Sequence, residues 1–306
     1  EEIGIDDSFF ELGGHSLLAT QLLSKVLKTL SSEIQLKDFF ASPTIRHLAE
    51  LINSSEQASS RPQMAHIDRS EPIPLSYAQQ RLWFLYQYER DSSAYNMPSA
   101  MRLQGPLDIE ALTHAINCLI ERHESLRTTF KSDGNTAVQV IIESNKIDLS
   151  VTDLSNENNP ESSAQTLAAE DAGTVFDLEK GPLFTAKLLK LDNDDHVVLI
   201  NMHHIISDGW SIALLLRELT TLYNAFKQNL DNPLSAVTYQ YADFSVWQQQ
   251  WLSGDNLEQQ LEYWRNTLSG APALLELPTD RPRPVEQTYQ GDNYRFSWSK
   301  STLEGL

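Results

Sequence analysis

Apolar residues recur every three or four positions between Ser16 and Leu30, at Leu18, Leu22, Leu23, Val26, Leu27 and Leu30, which predicts an amphipathic helix. A short turn starting at Asp7 or Ser8 precedes it and is broken by Gly13-Gly14. Pro43 opens a second helix, TIRHLAELI, with Leu48, Leu51 and Ile52 on one face. Residues 53–72 lack periodicity and are rich in Ser, Gln and Pro, the pattern of a linker. From residue 73 helical and alternating patterns succeed each other. Helices are predicted from Leu75 to Tyr88, after Asp108 through IEALTHAINCLIERH, over 163–173, from Trp210 to Lys227, and over 238–252 and 256–268. Strands are predicted at MRLQG, over 125–131 and 136–143 (joined at Asp133-Gly134), and over 183–191 and 196–206. The last two should be antiparallel neighbours joined by Asp192–Asp195. A Pro-rich crossing, ALLELPTDRPRP, leads to a final strand, NYRFSWS, and no internal repeat is visible.

The length of 306 residues fits about two domains. No apolar run approaches the ~18 residues of a membrane span, so no membrane partner is expected. The first residues, EEIGIDDSFF, have neither the basic start nor the apolar centre of a signal peptide, nor an initiator Met. Both ends read as cuts through a longer polypeptide. Cys118 is the single cysteine, which rules out an internal disulfide and fits a reducing, cytoplasmic compartment. It lies within an apolar helical pattern, as a buried structural thiol would. A net charge of -19 repels phosphate backbones and excludes nucleic acid as the expected partner.

Candidate chemistry concentrates in residues 196–211, HVVLINMHHIISDGWS. An apolar strand delivers His203 and His204 to a turn at Ser207-Asp208-Gly209. Alternation along a strand sends the two imidazoles to opposite faces, so only one serves a given site. The same alternation keeps them from sharing one ion, and no further Cys or His stands at ligand spacing; no metal is predicted. Three roles suit His204: a buried histidine bonded to backbone, half of a hydrolase dyad with Ser207 or Ser211, or a general base in acyl transfer. The dyad lacks support from any Gly-x-Ser-x-Gly elbow. Ser16, after Gly-Gly and at a helix start, suits either an N-cap or a covalently modified hydroxyl whose anionic group the helix N-terminus favours.

Residues 7–22, DSFFELGGHSLLATQL, resemble the attachment motif of acyl and peptidyl carrier proteins, with Phe9, Phe10, Gly13, Gly14, His15, Ser16 and Leu17 matching in order. The resemblance covers residues 1–52 and implies that Ser16 carries 4′-phosphopantetheine. In that family a first helix precedes the motif; it is absent here. Residues 72–306 resemble the condensation domain of nonribosomal peptide synthetases through four ordered motifs: SYAQQRLW at 76–83, RHESLRTTF at 122–130, MHHIISDGWS at 202–211 and YADFSVW at 241–247.

The resemblance implies an α+β multidomain chain. Residues 1–52 would be a partial all-α carrier bundle, 53–72 a linker, and 73–306 the α/β, chloramphenicol-acetyltransferase-like N-terminal lobe of a condensation domain with the start of its second lobe. It makes His204 the catalytic histidine, His203 and Asp208 structural, and Gly209 a residue of the active-site turn. Asp208 would pair with an Arg from later in the domain, beyond Leu306. Arg81, Arg122 and Arg127 would be scaffold, and Trp83, Trp210, Trp247 and Trp251 core or interface aromatics. The implied activity is an acyltransferase reaction: an amine on one loaded carrier attacks a peptidyl or aminoacyl thioester on another. Implied partners are neighbouring carrier and adenylation domains, a phosphopantetheinyl transferase and the thioester substrates. Alternatives are an epimerisation domain, which shares His-His-x-x-x-Asp-Gly, and an inactive condensation-like interaction module. His15 argues for condensation, since carriers before epimerisation domains tend to have Asp there. Residues 1–306 alone are expected to be inactive, because the tunnel needs both lobes.

Overall fold

The computed structural model describes residues 3–30, 32, 34–54, 62–134, 136–143, 146–284, 291, 294, 296–303 and 305. Residues 55–61 of the predicted linker lie outside the described residues. The chain divides into two units, Glu1–Asn256 and Leu257–Leu306.

Three helices form the N-terminal part: α1 (Ser16–Leu30), α2 (Leu36–Ala41) and α3 (Ile45–Ser54). Their core is Ala19, Leu23, Val26, Phe39 and Leu48. This shifts the buried stripe of α1 from the leucine pattern. Ala19 is fully buried, whereas Leu18, Leu27 and Leu30 are exposed. The contact is made by Phe39 of α2, a six-residue helix too short to show periodicity. Gly13 has a φ of +88°, a left-handed conformation that favours glycine. Gly14 is required by space: a Cβ there would lie 2.4 Å from the Phe9 carbonyl oxygen and ring. Together they fold residues 9–14 back and present the start of α1.

The larger part of the first unit contains two sheets. β1 (Ile73–Pro74), β3 (Thr128–Asp133) and β4 (Thr136–Ile141) form one, in the order β1-β4-β3, all antiparallel. β2 (Ser99–Gln104), β5 (Ser150–Asp153), β6 (Phe184–Asp192) and β7 (Asp195–Met202) form the other, in the order β2-β7-β6-β5. β6 and β7 are the predicted antiparallel pair. β5 pairs with β6 in parallel, through the crossover helix α6 (Pro160–Ala172). Helices α4 (Tyr77–Tyr88), α5 (Ile109–Arg122) and α7 (Gly209–Lys227) pack in the main core with Phe130, Leu188, Val198 and Ile200. Leu189, Leu191 and Leu199 face the opposite way, into a second cluster with Ala164 of α6. Both faces of the β6–β7 pair are therefore covered, which accounts for the unbroken apolar run Val197–Ile200. The unit closes with α8 (Tyr241–Trp251).

Several boundaries differ from the sequence pattern. Residues 125–127, expected to begin a strand, lie instead in a 3-10 turn, Glu124–Arg127, that continues directly into β3. α4 starts two residues late because Ser76 caps it: the Ser76 hydroxyl accepts the Gln79 N–H, and the Gln79 side chain accepts the Ser76 N–H. Cys118 is half-buried and its thiol is raised by burial.

Residues 62–69 run against the lobe and are held there. Arg69 donates to Asp243 at 2.7 Å and to Glu124 at 2.8 Å, and the Ile67 N–H donates to Asp243 at 3.0 Å. Asp243 is 1% exposed, so a lone charge there would be costly. Burial pushes its carboxyl up, but Arg69 and the Ile67 and Gln240 N–H groups outweigh that and hold it at about 2, against an ordinary 3.8. A depressed carboxylate stabilises the fold above its unfolded pKa, and that contribution is lost as pH falls from about 4 to about 2. Asp243→Asn should therefore cost about 2 kcal/mol at pH 6, with the gap closing towards pH 2. Urea midpoints of both proteins across that range check this.

α9 (Gly254–Thr267) crosses the unit boundary, and the second unit ends in α10 (Lys300–Leu303). Of the predicted strand at 293–299, the described residues, Tyr294 and 296–299, carry no strand, and Tyr294, Phe296 and Trp298 are exposed. No strand is present among the described residues of this unit to offer a ladder.

Candidate active site at the His203–Gly209 turn

β7 ends at Met202, and the next two residues continue its pairing on both sides. The His203 N–H donates to Leu183 O at 3.0 Å, and the His204 N–H donates to Tyr95 O at 2.8 Å. The alternation holds: His203 is buried and His204 is exposed.

The two imidazoles hold opposite tautomers. His204 Nδ1 lies 2.6 Å from the Ser207 carbonyl oxygen. A carbonyl only accepts, so Nδ1 carries the proton, and in the neutral ring it is Nε2 that keeps the lone pair. His203 Nδ1 instead accepts the Ile205 N–H at 3.1 Å. Burial, and then the neighbouring His204, lower His203 to about 4. His203 is thus neutral at physiological pH, packed between Tyr95 and Phe176.

Asp208 is the N-cap of α7. Its Oδ1 accepts the Ser211 N–H at 2.8 Å and the Ser211 hydroxyl at 2.6 Å. Among the described residues it has no arginine partner. Gly209 is the first residue of α7, and a Cβ there would meet nothing within 4 Å. Its missing side chain answers no packing need and leaves the turn open. The hydrolase dyad is not assembled: Ser211 is engaged by Asp208, and His204 bonds a carbonyl rather than a hydroxyl.

His204 lines a cavity of about 370 Å³ together with Arg81, Tyr95, Ser125, Asp208 and Tyr241. The fold gathers these from five separate segments. Tyr241 is held by a 2.9 Å hydrogen bond to Ser76 Oγ. Burial and the nearby Asp208 charge raise its phenol, despite the Ser76 bond. Gln79, fixed by the cap of α4, donates to the Ile205 carbonyl at 3.3 Å and steadies the histidine turn from behind. Arg122 and Arg127 are scaffold as expected: Arg122 bonds Glu218 and Ser235 O, and Arg127 bonds Ile142 O. Arg81 differs, being exposed at the cavity. Trp83 is a core residue, while Trp210 is 37% exposed. A larger depression of about 450 Å³ lies against α5, lined by Glu110, His114 and Lys146 among others. It holds none of the motif residues, and His114 is stacked on Phe226 at 4.0 Å.

At the carrier motif, Ser16 is the first residue of α1 and exposed. His15, not Ser16, supplies the cap: its Nδ1 accepts the Leu18 N–H at 3.4 Å. The Ser16 hydroxyl has no partner among the described residues.

Residues 69–306 match the condensation domain, and residues 1–52 match the phosphopantetheine attachment site. The chain belongs to the condensation-domain family. Its order, an attachment site followed by a condensation domain, is that of nonribosomal peptide synthetase chains. It is 46% identical to a component of the linear gramicidin synthase of Brevibacillus parabrevis, over 100% of this chain and 6% of that protein. Malpibaldin synthetase of Mortierella alpina is 43% identical over 94% of this chain and 5% of its own length. The chain therefore spans about one-twentieth of the length of these curated relatives. Among solved structures, the X-domain of teicoplanin biosynthesis in complex with OxyB superimposes with a TM-score of 0.65 and 30% identity, covering 74% of this chain and 50% of that one. The first condensation domain of the calcium-dependent antibiotic synthetase gives 0.61 at 22% identity, with 67% and 50% covered; it shares the fold. No helix among the described residues is long and apolar enough to cross a membrane.

Proposed function

We propose that residues 73–306 belong to an amide-forming acyltransferase of nonribosomal peptide synthesis, and that residues 1–52 are the carrier that brings its donor, joined by residues 53–72. Ser16 is the attachment residue for 4′-phosphopantetheine. The fit rests on an exposed, unpartnered hydroxyl at the positive end of α1, where a phosphate is favoured. When bound, that group supplies a thiol on which an acyl chain is held as a reactive thioester.

The observation that carries the catalytic reading is the His204 tautomer. With Nδ1–H committed to the Ser207 carbonyl, Nε2 accepts a hydrogen bond from an incoming amine in the cavity. An α-amine has a pKa of ~7.8, so roughly a tenth is neutral at pH 7, at a cost of only about 1.2 kcal/mol. Removing the first proton is thus a small share of the barrier. His204 acts by holding the amine in line and by taking the proton that the nitrogen must lose as the C–N bond forms; the C–S bond of the thioester breaks, and the departing thiolate takes up that proton. Asp208 keeps the turn in shape through its cap on α7, and Gly209 leaves room at it. His203 holds the strand end. Adenylation domains and a second carrier upstream and downstream, and a phosphopantetheinyl transferase, complete the set of partners.

A second reading, a non-catalytic recruiting module, draws on the similarity to the X-domain solved with OxyB. The intact His204 geometry favours catalysis. The test is a full-length synthetase with donor and acceptor carriers loaded: mass analysis of the acceptor should show the amide product. Deuterium exchange at the donor Cα without amide formation would identify an epimerase instead, and no change in either would leave only recruitment.

A further inference from the structure

The segment between the carrier and the lobe reads as a plain linker, yet its described part is fastened at successive points. The Trp247 indole N–H donates to the Pro62 carbonyl at 2.6 Å. The His66 ring lies 5.1 Å from Tyr239, and its Nδ1 is 3.8 Å from Asp243 Oδ2. The Ile67 N–H and the Arg69 guanidinium both reach Asp243 Oδ1, and Arg69 continues to Glu124. Arg69 also donates to the Ile67 carbonyl at 3.1 Å, which locks the segment's own bend. All the anchors on the lobe come from α8, the residues leading into it and the 3-10 turn. A carboxylate 1% exposed and bonded to residues 174 and 176 positions away is a costly feature for a passive spacer.

We propose that Asp243 and Arg69 form a tether clamp: they fix the point at which the chain leaves the lobe at Pro62, and so confine the load of Ser16 to the cavity of its own lobe. This rests on the amide-forming reading above. Pro62 is eight positions along the chain from Ser54, and Ile73 of β1 is nineteen. At ~3.5 Å per residue, the end of α3 must lie within about 28 Å of a fixed Pro62 but within about 66 Å of Ile73 alone. Effective concentration falls as roughly the three-halves power of tether length, so a clamp whose release frees the segment back to Ile73 dilutes the donor about fourfold when it opens. Arg69 and Asp243 are positioning residues, acting through the tether and touching no substrate.

The test uses the full-length synthetase with Arg69→Ala and Arg69→Lys. Two donors are compared: the acyl chain on Ser16, and the same acyl group as a soluble small thioester. Arg69→Ala should lower the rate from the Ser16-borne donor about three- to fourfold and leave the soluble donor within twofold; Arg69→Lys should recover part of the loss. Hydrogen exchange should quicken at the Ile67 amide and stay unchanged along α8. Ten Gly/Ser residues inserted ahead of Pro62 should slow the Ser16-borne donor about threefold in the wild type and less than twofold in Arg69→Ala. Equal losses with both donors would reduce the clamp to a folding contact, and an unchanged Ser16-borne rate despite faster Ile67 exchange would show that tether length is irrelevant; either overturns the clamp. A wild type that joins neither donor to the acceptor overturns the amide-forming reading first, and the clamp with it.

Discussion

His204→Ala in the full-length synthetase is expected to slow amide formation by about 10²–10⁴-fold, from the Ser16-borne donor and from a soluble thioester alike. That is about 3–5 kcal/mol of barrier. The loss should fall on chemistry and not on folding. His204 is exposed just past the end of β7, and among the described residues its side chain bonds a carbonyl at the cavity edge. Thermal unfolding should therefore move little. His204→Gln separates the two duties of the ring. Glutamine can hold an amine by a hydrogen bond but cannot take its proton at neutral pH. If positioning carries most of the effect, Gln retains a rate well above Ala; if proton removal does, the two variants are equally slow. His203→Ala contrasts with both, because a ring buried between Tyr95 and Phe176 is lost from the core. Amide formation at the wild-type rate by His204→Ala would remove His204 from the mechanism.

What the sequence made legible follows the length and regularity of each pattern. α5 and α7 hold apolar periodicity over 14 and 19 residues, and both were readable within a residue of their ends. β5 and α2, of four and six residues, are too short to outvote their polar neighbours, and only pairing with β6 or burial of Phe39 makes them form. The described residues of NYRFSWS are strand-like in type and have no ladder, which shows that alternation is permission rather than cause. At the site, strand alternation separated His203 from His204 correctly. The cap role of Asp208 is visible in the sequence as an Asp ahead of an apolar helix, whereas the family resemblance implies an arginine partner for it. Arg81, Ser125 and Tyr241 join His204 only in three dimensions, and no local period marks them. The Arg69–Asp243 bond joins residues 174 positions apart, so a Ser- and Pro-rich stretch that looks free is held by a partner its own composition cannot reveal.

Ser16→Ala should abolish attachment of phosphopantetheine at this carrier completely. Mapping of the peptide containing residue 16, after incubation with a phosphopantetheinyl transferase and coenzyme A, should show the added group on the wild type and none on the variant. The fold should survive. Ser16 opens α1, where alanine has the higher helix propensity. The cap is His15, and the Ser16 hydroxyl carries no hydrogen bond among the described residues, so its removal should stay within about 0.5 kcal/mol. The group found on a neighbouring hydroxyl such as Thr20 in the variant would move the attachment site and overturn the assignment. That outcome is disfavoured by geometry: the Thr20 hydroxyl already donates to the Ser16 carbonyl at 2.9 Å, one turn into the helix. The variant also isolates delivery from chemistry. With Ser16→Ala the soluble thioester should still react at the cavity, because Nε2 of His204 is untouched, whereas His204→Ala loses both donors.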